Sequence, residues 1–227
     1  KNIRLGLPRY LIRPKPIRWN SLLFTLQKKD TNMKTRPNIT QLAKEIFEVN
    51  KAKGYHNENR SNEHFLMLVI TELSEAVEAD RGNSRNRRAN MDWFNKRIQT
   101  NRSYKGLDPS ITKERAYEVI YNETIKGSIE EELADSVIRL LDLVGLRGYT
   151  NLKDLLLVAT VSEKKTFTEN IFSICKDMIY YKYSEPERIS YALLNIERLC
   201  SMMNIDLWLH VDLKLEYNKT QSKNKNY

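Results

Sequence analysis

Two pairs of acidic residues have the spacing that brings carboxylates to one face of a helix. Glu72 and Glu75 are three residues apart in TELSEAVEAD, and Glu132 and Asp135 repeat that spacing in EEELADSVIRLLDLVG. In an α-helix, residues three apart project to the same side, one turn along the axis. Each pair can therefore offer two carboxylates to a common partner.

The surroundings of the two pairs differ. The first pair follows six apolar residues, FLMLVI at 65–70, which predict a helix that is buried all round. Acids on a buried helix must be paired, protonated or bound to a cation. The second pair shares a polar stripe with Arg139 and Asp142, and Asp135 can pair with Arg139 there. Because acids at this spacing are also common on solvated faces, a purely structural role is the alternative for each pair.

If the two helices pack antiparallel, the four carboxylates converge, and a hard divalent cation removes their repulsion. Mg²⁺ takes oxygen ligands and keeps several waters, which suits it to hold a phosphate chain. The three histidines, His56, His64 and His210, lie away from both pairs in the sequence, which favours Mg²⁺ or Mn²⁺ over iron. The predicted ligands are Glu72, Glu75, Glu132 and Asp135, and Glu78 or Glu131 could replace a neighbour.

The two motifs resemble those of the MazG-like nucleoside triphosphate pyrophosphohydrolases, which are relatives of the dimeric dUTPases. Those all-α enzymes carry E-x-x-E on one helix and E-x-x-D on a later one, as in ELSE at 72–75 and ELAD at 132–135. Their last helix often carries Lys, then Tyr-Asn, then a basic residue. Lys214, Tyr217 and Asn218 fit that pattern, whereas Gln221 stands where Arg is expected. The resemblance covers residues 39–81, 111–148 and 204–221.

The resemblance implies Mg²⁺-dependent hydrolysis of a nucleoside triphosphate between the α and β phosphates, giving a monophosphate and pyrophosphate. The four acids would be the metal ligands and catalytic residues. Lys214 would supply positive charge to the polyphosphate, Tyr217 would stack or close the pocket, and Asn218 would meet a base edge or a phosphate. Plain alternatives are a solvated Lys214 and a core Tyr217. The resemblance also implies a homodimer or homotetramer.

Helices are predicted throughout, because glycine is scarce and no alternating β pattern persists. Long amphipathic helices with short connections favour an antiparallel bundle, with a four-helix core and additional helices. Asn38, Ser61 and Ser128 are the expected N-caps, and Ser128 with Glu131 makes a capping-box pattern. The predicted helices span about 39–53, 62–81, 91–100, 111–146 with a break at 127–128, 168–181, 185–203 and 206–220.

The net charge of +9 is concentrated at the N-terminus, because residues 1–32 hold eight Lys or Arg and one Asp. We expect 1–32 to be a disordered basic arm or a non-native extension, with Met33 as the true start of a single domain over 33–227. The segment 83–110 is basic and turn-rich, and we interpret it as an insertion that forms a surface loop with one short helix. Cys175 and Cys200 fit neither a disulfide framework nor a zinc site, so a reducing, cytoplasmic setting is expected. No apolar run approaches the length of a membrane span.

Three alternatives to a general triphosphate pyrophosphohydrolase follow from the same residues. The first is a dUTPase-like specificity at the same site. The second is a helical nucleic-acid-binding protein that uses the basic arm and the insertion, where Trp93, Phe94 and Tyr104 lie among Lys and Arg. The third is a structural bundle whose acids only form salt bridges.

Overall fold

The computed structural model describes residues 33–82, 87–103, 112–150 and 164–221, with the side chains of 101–103 excepted. In these ranges the chain forms eight α-helices and no strand, which confirms the predicted all-α class. The expectations for residues 1–32 lie outside the described ranges. The helices are α1 (Ile39–Ala52), α2 (Asn62–Arg81), α3 (Met91–Ser103), α4 (Lys113–Thr124), α5 (Ile129–Arg147), α6 (Phe167–Ile179), α7 (Glu185–Met202) and α8 (Leu207–Thr220).

The predicted N-caps are confirmed. The side chains of Asn38, Ser61 and Ser128 accept hydrogen bonds from the backbone N–H three residues on, at 3.2 to 3.3 Å. The predicted capping box at Ser128 is only half formed. The Ser128 N–H donates to the Ile125 carbonyl, so the Glu131 carboxylate accepts instead from the Gly127 N–H. Gly127 has a φ of +74°, and it is the residue at which α4 and α5 separate.

Helix α5 is the centre of the bundle and packs against α1, α2, α7 and α8. Its direction is opposite to that of α2. At one end Asn62 accepts from Arg147 at 2.5 Å, and near the middle Glu72 pairs with Arg139 at 3.1 Å. The predicted antiparallel arrangement of the two acidic helices is therefore confirmed.

Helix α1 crosses the C-terminal half of α5 at very short range because position 145 is glycine. A Cβ at Gly145 would lie 2.4 Å from the Ala43 carbonyl oxygen and 2.6 Å from the Phe47 Cβ. Contacts that close are repulsive, so only glycine lets the two backbones meet here. The close approach fixes the position of α1 against α5, the helix that carries the second acidic motif.

The burial of α2 and α5 is the reverse of the prediction. Helix α2 is not buried all round, because Met67 within FLMLVI is 57% exposed and Thr71, Ser74, Glu75 and Glu78 are exposed on later turns. Helix α5 has no solvated stripe, and Glu132 and Asp142 on its predicted polar face are buried. The reason is that four helices surround α5, whereas α2 lies at the edge of the bundle.

A second apolar cluster joins α3, α4 and α8. Its buried residues are Phe94, Ile120, Tyr121, Ile125 and Tyr217. The predicted surface loop at 83–110 is therefore wrong for its described part, since α3 packs on α4 through Phe94. The predicted short helix is confirmed as α3. With Tyr117, which is partly buried and packs against it, the cluster brings three tyrosines together.

Candidate metal centre

Helices α2 and α5 bring three of the four predicted carboxylates together. One oxygen from each of Glu72, Glu132 and Asp135 lies within 4.8 Å of the others. Glu72 and Glu132 are each 8% exposed, and Asp135 is half-buried. The antiparallel packing produces this group because the middle of α2 lies beside the first half of α5.

The fourth predicted ligand, Glu75, lies outside that group and is exposed. It follows Glu72 by one turn and remains within electrostatic reach. Its charge adds to burial and to the nearer carboxylates in raising the pKa of Glu72 and Glu132. Glu75 is therefore at the rim of the group. Glu78, the alternative ligand on α2, is also exposed.

Glu132 is the most perturbed of the acids. Burial, together with the charges of Glu131, Asp135 and Glu75, raises its pKa from 4.5 to about 8. Lys214 opposes the rise without cancelling it. At neutral pH and without a cation, the Glu132 side chain therefore holds a proton.

Arg139 neutralises one side of the group. Its Nε donates to Glu72 across the helix interface at 3.1 Å. The spacing on α5 predicts that Asp135 can pair with Arg139, whereas the pair with Glu72 on the neighbouring helix was not predicted. Burial and the charge of Asp135 raise the pKa of Glu72, and Arg139 counteracts both. The interaction also links α2 to α5 beside the candidate metal ligands.

Lys214 from α8 neutralises the other side. Its Nζ lies 2.6 Å from Asp135 and 2.6 Å from Glu131, and the residue is 9% exposed. Burial alone would lower its pKa, but the charges of Asp135 and Glu131 outweigh burial and raise it. The predicted alternative of a solvated Lys214 is wrong. Glu131, which the EEEL sequence left as a substitute ligand, is held by Lys214 and the Gly127 N–H.

The donor set and its charge fit a hard divalent cation. With all four ionised, the acids Glu72, Glu131, Glu132 and Asp135 would carry four negative charges, and the contacting Arg139 and Lys214 carry two positive ones. Burial raises the pKa of Glu132, and its acidic neighbours raise it further, so a bound cation would favour its ionised form. All donors in the group are carboxylate oxygens, which Mg²⁺ and Mn²⁺ prefer.

The other two residues predicted from the last helix, Tyr217 and Asn218, differ in what they contact. The Tyr217 ring is buried, and its centroid is 5.5 Å from the Lys214 Nζ, so it packs beside the centre. The half-buried Asn218 accepts through its backbone carbonyl from Lys53 Nζ at 2.5 Å. Gln221, which replaces the expected Arg, contacts Thr220. Lys214 contacts an acid of the candidate centre, Asp135, through its side chain.

Two contacts of the acidic helix were not predicted. The buried Glu130 pairs with Arg88 and accepts from the Ala89 N–H at 3.0 Å, which attaches the start of the predicted insertion to α5. His56 lies 2.9 Å from Asp142, with both side chains buried. Both contacts join residues distant in sequence, so the only sequence signal was the density of acids on α5.

Several of the basic side chains that suggested nucleic-acid binding form ion pairs with carboxylates of the protein itself. Arg87 pairs with Asp80 at 2.6 Å, Arg88 pairs with Glu130, and Arg97 pairs with Glu123 at 3.2 Å. Each of these carboxylates offsets one positive charge of the segment, and net positive charge is what attracts a nucleic-acid backbone. The described part of 83–110 is therefore less suited to nucleic acid than its composition suggests.

Comparison of the chain with protein-family models, with curated proteins and with solved structures finds no match in any of the three. Among the helices that the structure describes, each is too short or too polar to cross a bilayer.

Proposed function

We propose that this protein is a Mg²⁺-dependent nucleoside triphosphate pyrophosphohydrolase. It would hydrolyse the bond between the α and β phosphates and release a nucleoside monophosphate and pyrophosphate. The observation that carries the proposal is the buried group of Glu72, Glu132 and Asp135. These three acids come from the two motifs whose order and spacing resemble those of MazG-like enzymes.

The proposed cation would be held by Glu72, Glu132 and Asp135, with Glu75 at the rim. When bound, Mg²⁺ would neutralise phosphate charge and lower the pKa of water. Phosphoryl transfer depends mainly on charge neutralisation and positioning, so a site without a nucleophilic Ser or Cys suffices. A fixed set of carboxylates on two packed helices supplies the rigid frame that such positioning needs.

Lys214 and Arg139 would orient the polyphosphate. Both are cations whose charged ends lie at the acidic group, one from α8 and one from α5. Their present partners are carboxylates, and a phosphate chain offers anionic oxygens of the same kind. The buried Tyr217 ring beside Lys214 would exclude water from that side of the site.

The test is pyrophosphate release from a panel of ribo- and deoxyribonucleoside triphosphates, including dUTP, with Mg²⁺ and with EDTA. Glu132→Gln removes one proposed ligand, and we expect at least a 100-fold loss of kcat/KM because even residues behind a ligand are worth about 10- to 100-fold. Glu75→Gln and Glu78→Gln form a matched pair of exposed acids on α2. Glu75→Gln should lower activity, and Glu78→Gln should not.

The panel also decides between general and dUTPase-like specificity, through the relative rates. A folded protein that releases pyrophosphate from none of the triphosphates would refute the proposal. Release that persists in EDTA and in Glu132→Gln would refute the role of the acidic group.

A further inference from the structure

Three tyrosines form a stack between α4 and α8, next to the candidate metal centre. The Tyr117 and Tyr121 rings are 6.1 Å apart, and the Tyr121 and Tyr217 rings are 4.3 Å apart with an interplanar angle of 20°. Tyr121 is the middle ring and is 0% exposed. The stack holds the ring of Tyr121 in one position.

The three hydroxyls differ in their partners. The Tyr117 hydroxyl donates to the Leu213 carbonyl at 2.9 Å, and the Tyr217 hydroxyl donates to Asn122 Oδ1 at 2.9 Å. The buried Tyr121 hydroxyl has no hydrogen-bond partner among the residues that the structure describes. A buried hydroxyl without a partner is costly, so its retention indicates that another molecule completes it.

The surroundings of Tyr121 place its ring near the acidic group. Its neighbour Tyr217 contacts Lys214, whose Nζ lies 2.6 Å from Asp135 and from Glu131. Burial raises the pKa of Tyr121, and the charges of Glu131, Asp135 and Glu132 add to the rise. The hydroxyl therefore stays protonated and is available as a donor.

We propose that the Tyr121 hydroxyl donates a hydrogen bond to a phosphate oxygen of the bound triphosphate. The inference rests on the proposed function and adds a further substrate-binding residue to it. An anionic oxygen is the expected acceptor, because the acids whose charges act on Tyr121 belong to the group that, with Lys214, would receive a polyphosphate. Tyr121 was not among the residues predicted from the sequence.

The test compares Tyr121→Phe with Tyr117→Phe, which removes a hydroxyl from the same stack one helical turn earlier. The probes are thermal melting in EDTA, affinity for a non-hydrolysable α,β-methylene nucleoside triphosphate with Mg²⁺, and kcat/KM for the best substrate of the panel. Tyr121→Phe should melt at or above the wild-type temperature, because it breaks no bond within the protein. Its affinity and its kcat/KM should fall about 10- to 100-fold, as expected for one hydrogen bond to a charged oxygen.

Tyr117→Phe should show the opposite result, a lower melting temperature with unchanged affinity, since its hydroxyl bonds the Leu213 carbonyl. If the wild type is active and Tyr121→Phe binds the triphosphate analogue as tightly as the wild type does, the role of Tyr121 alone is overturned. A lower melting temperature of metal-free Tyr121→Phe would also overturn it, by revealing a protein acceptor. A wild type that neither hydrolyses nor binds any triphosphate would overturn the proposed function together with this inference.

Discussion

Replacing Glu132 with Gln should stabilise the metal-free protein while it abolishes the proposed activity. Burial and the neighbouring acids raise the pKa of Glu132 from 4.5 to about 8 in the folded protein. Between those pH values, folding of the wild type takes up a proton that glutamine does not require. One pKa unit corresponds to about 1.4 kcal/mol, so the cost at pH 7 is at most about 3 kcal/mol.

The sign of this effect sets its pH dependence. A carboxyl with a raised pKa contributes fully to stability below pH 4.5, and that contribution is lost as the pH rises toward 8. The stability advantage of Glu132→Gln should therefore be near zero at pH 4.5, grow through pH 7 and level off above about pH 8. Its upper value there is about 5 kcal/mol, from the same conversion.

The assay is urea unfolding in EDTA at pH 5, 7 and 8.5, for wild type, Glu132→Gln and Glu78→Gln. The exposed Glu78 is the control, and its substitution should not change the pH dependence. Adding Mg²⁺ should stabilise the wild type more than Glu132→Gln, because only the wild type retains all the acids of the group. Parallel pH curves for wild type and Glu132→Gln would refute the reasoning, since they would mean that Glu132 ionises without cost.

Two further substitutions test the helix packing and the ion pairs around the site. Gly145→Ala should destabilise the protein by about 1–3 kcal/mol, because its Cβ would meet the backbone of Ala43 and the Cβ of Phe47; an unchanged melting temperature would contradict the close approach of α1 and α5. Lys214→Met should cost about 3–5 kcal/mol in EDTA, because it leaves the buried Glu131 without its cation. Mg²⁺ should raise the free energy of unfolding of Lys214→Met more than that of the wild type. A difference between the two proteins that is the same with and without Mg²⁺ would count against the metal site.

The helices and their ends could be predicted from the sequence because the determinants are local. Asn38, Ser61 and Ser128 bond backbone groups only three residues away. The break between α4 and α5 was visible for the same reason, as a glycine followed by a capping serine. The i, i+3 spacing of the acids is likewise a property of one helix. It correctly brought Glu132 and Asp135 together, whereas Glu75 is exposed and lies outside the group that contains Glu72.

The relative burial of α2 and α5 could not be predicted in the same way. An apolar run such as FLMLVI tells which helix can be buried, but the number of neighbouring helices decides which one is. Helix α5 has four neighbours, so even its acids Glu130, Glu131 and Glu132 are buried. The pair of Arg139 with Glu72 was missed for a related reason, since Glu72 lies on the facing helix, 67 residues earlier in the sequence.

Tyr121 illustrates a further gap between sequence and structure. Its importance depends on what its hydroxyl does not contact, and that can be judged only when Tyr117, Tyr217 and the acids are placed around it. In the sequence it is one of twelve tyrosines. Unpaired buried groups are therefore the kind of site feature for which a structure is needed.

The arrangement of charge argues against a purely structural role for the acids. Arg139 pairs with Glu72, and Lys214 pairs with Asp135 and Glu131, so these acids have cations in direct contact. The raised pKa of Glu132 shows that burial and its acidic neighbours outweigh the opposing charge of Lys214. A bundle that needed only stability would gain from a neutral or apolar side chain at position 132. Retaining an acid there makes physical sense if a divalent cation supplies the missing charge, and the stability of Glu132→Gln with and without Mg²⁺ measures that difference directly.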